Sequence, residues 1–144
     1  MTLANHKLKA VTVILRASRA IQEVNKKDIA AYGLNQTEFA VMELLYHKGD
    51  QPIQIIGKKI LITSGSITYV VDKLEQKEYV FRKACPKDRR VTYAVLTNKG
   101  KTLMDRIFPQ HERKLEEIFE QLDDDDITLT IELLKKIGHH AEQL

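Results

Sequence analysis

One cysteine stands in 144 residues, so no internal disulfide framework can hold this chain together. No apolar stretch reaches the length needed to span a bilayer, and the N-terminus lacks the charged-then-apolar pattern of a signal peptide. A soluble, intracellular (cytoplasmic) protein is the expectation. Catalytic signatures are missing too: there is no Gly-rich phosphate loop, no nucleophile elbow and no pair of carboxylates in a plausible cleft. His6, His47, His111, His139 and His140 show no metal-ligand spacing, and His139–His140 reads more simply as a favourable helix-dipole contact. The sequence therefore argues against an enzyme, a metal site or a bound cofactor. Apart from four consecutive Asp, it holds no repeats or low-complexity segments.

What is present is a chain long enough for one domain, or one domain with a helical extension, and able to build a core without cross-links. Its charge is unevenly placed. Residues 48–101 carry 12 Lys and Arg against 5 Asp and Glu, whereas the remainder carries 11 against 15. A basic middle between near-neutral to acidic flanks suits a nucleic-acid-binding surface, although charge alone is equally compatible with an ordinary solvated face.

The hydrophobic period predicts the elements. Leu8, Val11, Leu15, Ala20, Ile21 and Val24 recur at helical spacing from Leu3 to about Ala31, and Gly33 is a natural stop. N-Q-T-E from Asn35 has the form of a capping box opening a second helix that runs to His47. Pro52 fits the first turn of a short third helix reaching Ile60, and a fourth helix spans about Ser64 to Lys77. The period then changes to two β-branched and aromatic runs joined by P-K-D-R, a hairpin with a charged tip. Thr97 caps a fifth helix, predicted to kink at Pro109, and Asp123–Asp126 open a sixth.

This order is a mainly α fold with a small β-hairpin wing: a winged helix-turn-helix with long terminal helices. The expected division is 1–34 for an N-terminal dimerisation helix, 35–97 for the DNA-binding domain and 98–144 for C-terminal dimerisation helices. Broad apolar faces on terminal helices of so short a chain imply an intermolecular bundle, most simply a two-fold dimer.

In the fourth helix Ile67, Val70, Val71 and Leu74 share one face, which turns Ser64, Ser66, Thr68, Tyr69, Lys73 and Gln76 outward. Short hydroxyl side chains let a backbone approach the major groove, while Tyr69 and Lys73 reach phosphates. Ser64 reads equally well as a plain N-cap. At the hairpin tip Arg90 suits a narrow minor groove, Asp88 can hold it by a charge-assisted bond, and Lys87 and Arg89 suit phosphates.

The segment C-P-K-D-R-R-V-T-Y-A-V-L-T-N-K-G resembles the wing signature of the MarR family, and the likeness extends over nearly the whole chain, including the terminal helices. The stretch N-Q-T-E-F-A-V-M-E-L-L-Y-H-K-G-D, with I-F-P-Q-H later, is similar to a quinone- and hydroquinone-responsive branch of that family. The resemblance implies a triangular dimer built from the first, fifth and sixth helices, seated on a palindromic operator. It also implies a repressor released by a small aromatic effector.

For sensing, three readings stand. An aromatic ligand would find Phe39, Met42, Tyr46, His47, Phe108 and His111 where the first, second and fifth helices meet, with Arg16 or Arg19 nearby. Phe39 and Met42, at i and i+3, more often serve as plain core. A thiol switch at Cys85 has positive neighbours in Lys83, Lys87, Arg89 and Arg90 but no resolving cysteine. The third is a constitutive DNA-binding module without a ligand.

Overall fold

The computed structural model describes residues 3–60 and 66–144. Its elements are α1 (Leu3–Ala30), α2 (Gln36–Lys48), β1 (Gln51–Pro52), α3 (Ile53–Lys59), α4 (Ile67–Gln76), β2 (Val80–Ala84), β3 (Thr92–Leu96), α5 (Asn98–Glu116) and α6 (Asp124–Glu142), with a 3-10 turn at Glu117–Phe119. They group into two compact units, Met1–His111 and Glu112–Leu144.

The first unit carries the core. Ile29 and Leu34 around the end of α1, Phe39, Val41, Met42 and Leu45 of α2, and Ile56 of α3 pack with Val70, Val71 and Leu74 of α4. Leu103, Met104 and Ile107 of α5 complete it from the far side of the sequence. On the face expected of α4, Val70, Val71 and Leu74 are therefore buried and Ile67 is partly buried against the core.

Local chemistry fixes the boundaries. Asn35 accepts from the Glu38 amide at 2.8 Å while the Glu38 carboxylate accepts from the Asn35 amide at 2.9 Å, the reciprocal box read from N-Q-T-E. α4 ends in a Schellman turn: the Tyr79 amide donates to the Leu74 carbonyl and the Glu78 amide to the Glu75 carbonyl. Glu78 occupies the left-handed position usually given to glycine, at φ 66°. Thr97 caps α5, accepting from the Gly100 amide at 2.9 Å and donating to the Glu78 carbonyl at 2.7 Å. The glycine of L-T-N-K-G is required sterically, because a Cβ at Gly100 would overlap the Tyr79 carbonyl oxygen.

Two features differ from the sequence reading. The wing is a three-stranded antiparallel sheet of order β1-β3-β2, in which Gln51 pairs with Ala94 and Pro52 with Tyr93. A two-residue strand has no readable period, and Pro52 is tolerated because β1 is an edge. Pro52 accordingly precedes α3 rather than lying in its first turn. Pro109 lies inside α5, as the sequence predicts, and its ring nitrogen leaves the Asp105 carbonyl without its helical donor.

In the second unit Asp123 caps α6 by accepting from the Asp126 amide at 2.8 Å. Three further acids occupy the first turn, where the helix dipole favours them. Leu129, Ile131, Leu133, Leu134 and Ile137 of α6 are exposed, and in the first unit so are Leu8, Val11, Val13 and Leu15 of α1. Among the described residues no helix is long and apolar enough to cross a membrane.

Candidate nucleic-acid interface

The outward face of α4 presents Ser66, Thr68, Tyr69 and Gln76 to solvent, with Lys73 half-buried between turns. Ser66 sits in the extended N-cap position without a side-chain cap bond, so its hydroxyl is available. Ser64 lies outside the described residues. Tyr69 is 60% exposed, and the Lys73 ammonium stands 5.3 Å from its ring centroid, a cation–π contact that stiffens both groups.

The same helix carries Asp72 and Glu75, charges that would repel a phosphate backbone. Arg82 on β2 answers both: it pairs with Asp72 at 2.8 Å and with Glu75, and it donates to the Thr68 carbonyl at 3.3 Å. One guanidinium thus neutralises the acids of α4 and ties the wing to it. At the helix's other end Lys77 pairs with buried Glu38 at 2.8 Å and donates to the Gly33 carbonyl at 3.2 Å, joining α4 to the start of α2.

At the wing tip the backbone closes through the Cys85 amide on the Val91 carbonyl and the Val91 amide on the Asp88 carbonyl. Asp88 accepts from the Arg90 amide at 3.0 Å and from its guanidinium at 3.2 Å. The Arg90 backbone bond first, and its side chain second, hold the Asp88 carboxyl below its ordinary value. Arg90 is nonetheless 91% exposed, and Lys87 and Arg89 are exposed beside it. Since the Asp88 pKa is depressed, the carboxylate clasp is fully present above the ordinary Asp range near pH ~4 and is lost only as pH falls through the lower folded value. Operator binding titrated between pH 8 and 5 should therefore show no inflection from this pair, and Asp88→Asn should weaken binding across that whole range.

The ring-bearing residues come together elsewhere in the first unit. His111 is 3% exposed; its ring centroid lies 4.5 Å from that of Phe39, and its Nδ1 lies 2.8 Å from Asp28 Oδ2. His47 meets Phe108 edge-on at 4.6 Å and Tyr46 at 5.2 Å. Phe108 lies 6.4 Å from His111, which links the two pairs into one row. Tyr46 donates to Asp105 Oδ1, and that bond, then burial, raises the phenol's pKa. Met42 is fully buried in the same core as Phe39, while Arg16 is exposed on α1 and makes no ion pair among the described residues. Asp28, Asp105, Arg82 and Gln54 were not singled out in the sequence. Asp28 and His111 are 83 positions apart, a separation no local pattern reports.

Residues 34–92, the stretch from α2 to the start of β3, match the MarR family model. Over 136 residues the chain is 54% identical to the HTH-type transcriptional regulator MhqR of Bacillus subtilis, covering 94% of each protein. The chain belongs to the MarR family. A second Bacillus subtilis member, the uncharacterized regulator YkoM, is 43% identical over 92% of this chain and 86% of that protein. Among solved MarR-family structures, AbsC of Streptomyces coelicolor superposes with a TM-score of 0.87 at 22% identity, covering 100% of this chain and 98% of that one. Sco3205 of the same organism, solved in complex with DNA, gives 0.83 at 20% identity over 97% and 89%. As a MarR-type protein this is a DNA-binding transcriptional regulator, not an enzyme.

Proposed function

We propose that the protein is a cytoplasmic, homodimeric repressor of a palindromic operator, released by a small aromatic effector of the quinone, hydroquinone or phenol class. The observation that carries the DNA half is the wing tip: Arg90 is almost wholly exposed yet held at its root by Asp88. An arginine so prepared loses little rotamer freedom on entering a narrow minor groove. Ser64, Ser66, Thr68, Tyr69 and Lys73 would read or grip the major groove, with Lys87 and Arg89 on phosphates. The exposed apolar faces of α1 and α6 support dimerisation through segments 1–34 and 98–144 around a 35–97 reading domain. Two recognition helices must stand about 34 Å apart to enter successive major grooves, so a ligand that changes that spacing releases DNA.

The effector reading rests on His111, Phe39, Phe108, His47 and Tyr46, with Met42 and Arg16 as the further candidates. His111 holds Asp28 through Nδ1, and with the proton on that nitrogen Nε2 would be left as an acceptor. A hydroquinone O–H can donate to it, whereas a quinone brings only acceptors. The reduced ligand should therefore release the operator at lower concentration than the quinone, and His111→Ala should abolish that preference. A second reading has one observation in its favour: the Cys85 backbone closes the wing tip on Val91, so an adduct on its thiol would disturb Arg90.

Operator binding at fixed salt, titrated with 2-methylhydroquinone and its quinone for wild type and Cys85→Ser, separates the readings. Release of both proteins at similar concentrations supports the ring cluster. Release of wild type alone makes Cys85 the sensor, and release of neither leaves a constitutive DNA-binding module.

A further inference from the structure

We propose that Gln54, on α3, is a positioning residue for DNA reading: it latches the wing tip so that Arg90 meets the minor groove at a fixed angle and depth. Its side-chain amide donates to the Arg90 carbonyl at 3.0 Å, across 36 residues of sequence. The inference rests on Arg90 being the wing's minor-groove contact.

The hairpin alone leaves this latch a specific task. β2 and β3 are paired from Val80↔Leu96 to Ala84↔Thr92, beyond which the tip is held by the Cys85–Val91 and Val91–Asp88 backbone bonds and the Asp88 clasp. All of those bonds lie within the hairpin. They fix the tip's internal shape but not its pitch relative to the helices that enter the major groove. Arg82 ties the wing to α4 at mid-strand, and β1 pairs with β3 at Ala94 and Tyr93. Among the described residues, Gln54 is the contact from outside the hairpin that acts on the tip itself, and it bonds to the backbone of the residue whose side chain must be aimed. A two-stranded ribbon free at its tip swings, and small angular errors at the root displace a long arginine by more than a hydrogen bond tolerates. The bond is to a backbone oxygen, so it constrains Arg90 without occupying its guanidinium.

Gln54 carries no charge, so removing it should leave the salt dependence of binding unchanged, unlike removal of a phosphate-binding lysine. Because Gln54 is exposed and outside the core, Gln54→Ala should leave the thermal midpoint unaltered. It should also speed amide exchange at Arg90 and Val91 in the free protein.

The decisive experiment is a double-mutant cycle with Arg90, using a duplex selected by the wild-type protein from a randomised pool. Gln54→Ala should weaken binding of the dimer by roughly threefold to tenfold, since one neutral hydrogen bond is lost in each protomer. In the Arg90→Ala background the same change should have almost no effect, because there is no longer a side chain to aim. If Gln54→Ala weakens binding equally in both backgrounds, Gln54 contacts DNA on its own account and the latch is wrong. The latch is also wrong if Gln54→Ala binds as wild type while Arg90→Ala is impaired. Should Arg90→Ala itself bind normally, the wing assignment fails and the latch falls with it.

Discussion

Arg90→Ala should weaken operator binding by roughly 100-fold or more at fixed salt, since each wing forfeits a contact worth about 1–3 kcal/mol and a dimer forfeits two. The loss is large because the folded chain has already ordered this side chain. Asp88 holds the Arg90 amide and guanidinium, and the tip between β2 and β3 leaves the Arg90 side chain exposed. Binding therefore pays little to order the arginine, and most of its attraction to the minor groove appears as affinity. The neighbouring cations should behave differently. Lys87→Ala or Arg89→Ala should cost less and should flatten the salt dependence by about one counterion per lost phosphate contact. Fluorescence anisotropy with a labelled operator duplex at several salt concentrations measures both effects. An Arg90→Ala protein within threefold of wild type would remove the wing from the recognition surface.

Gly100→Ala should destabilise the protein by about 3 kcal/mol or more, the range in which a core position is overpacked against something that cannot yield. The sign is informative, because Ala in a helix is ordinarily favoured over Gly by about 1 kcal/mol. Here the added methyl would overlap the Tyr79 carbonyl oxygen and crowd Leu96 at 3.0 Å. The Tyr79 carbonyl is itself engaged by the Thr97 amide, and Thr97 caps the helix through the Gly100 amide. Relieving the overlap thus pulls apart the junction of β2, β3 and α5. Urea unfolding should give a lower midpoint with an unchanged slope. A midpoint equal to or above wild type would show that the junction is looser than its hydrogen bonds indicate.

How far the sequence could be read depended on the range of the interactions. Where one element's own residues set its limits, reading largely succeeded, Pro52 before α3 being an exception. N-Q-T-E became a capping box, Val70, Val71 and Leu74 became the buried face of α4, and Thr97 became the cap of α5. The acid–x–Arg tip was legible for the same reason, since Asp88 and Arg90 are two residues apart and bond each other. The groups that tie elements together were not legible. Arg82 on Asp72 and Glu75, Lys77 on Glu38, Asp28 on His111 and Gln54 on the wing join residues whose partnership depends on how helices pack. Two residues of edge strand at Gln51 and Pro52 carry no period at all. The aromatic row was half legible: the i, i+3 spacing of Phe39 and Met42 already favoured plain core, as found, but no local pattern could tell that His111 is buried against a carboxylate.

Hydroxyl-radical footprinting of wild type and Arg90→Ala on one operator duplex, at concentrations that saturate each, tests the central claim most directly. Wild type should protect two major-groove half-sites about one helical turn apart, each flanked by a protected minor-groove segment rich in A·T pairs. Arg90→Ala should lose the flanking minor-groove protections and keep the two central ones. A wild-type footprint confined to one half-site, or one without any minor-groove protection, would contradict a winged dimer reading both grooves.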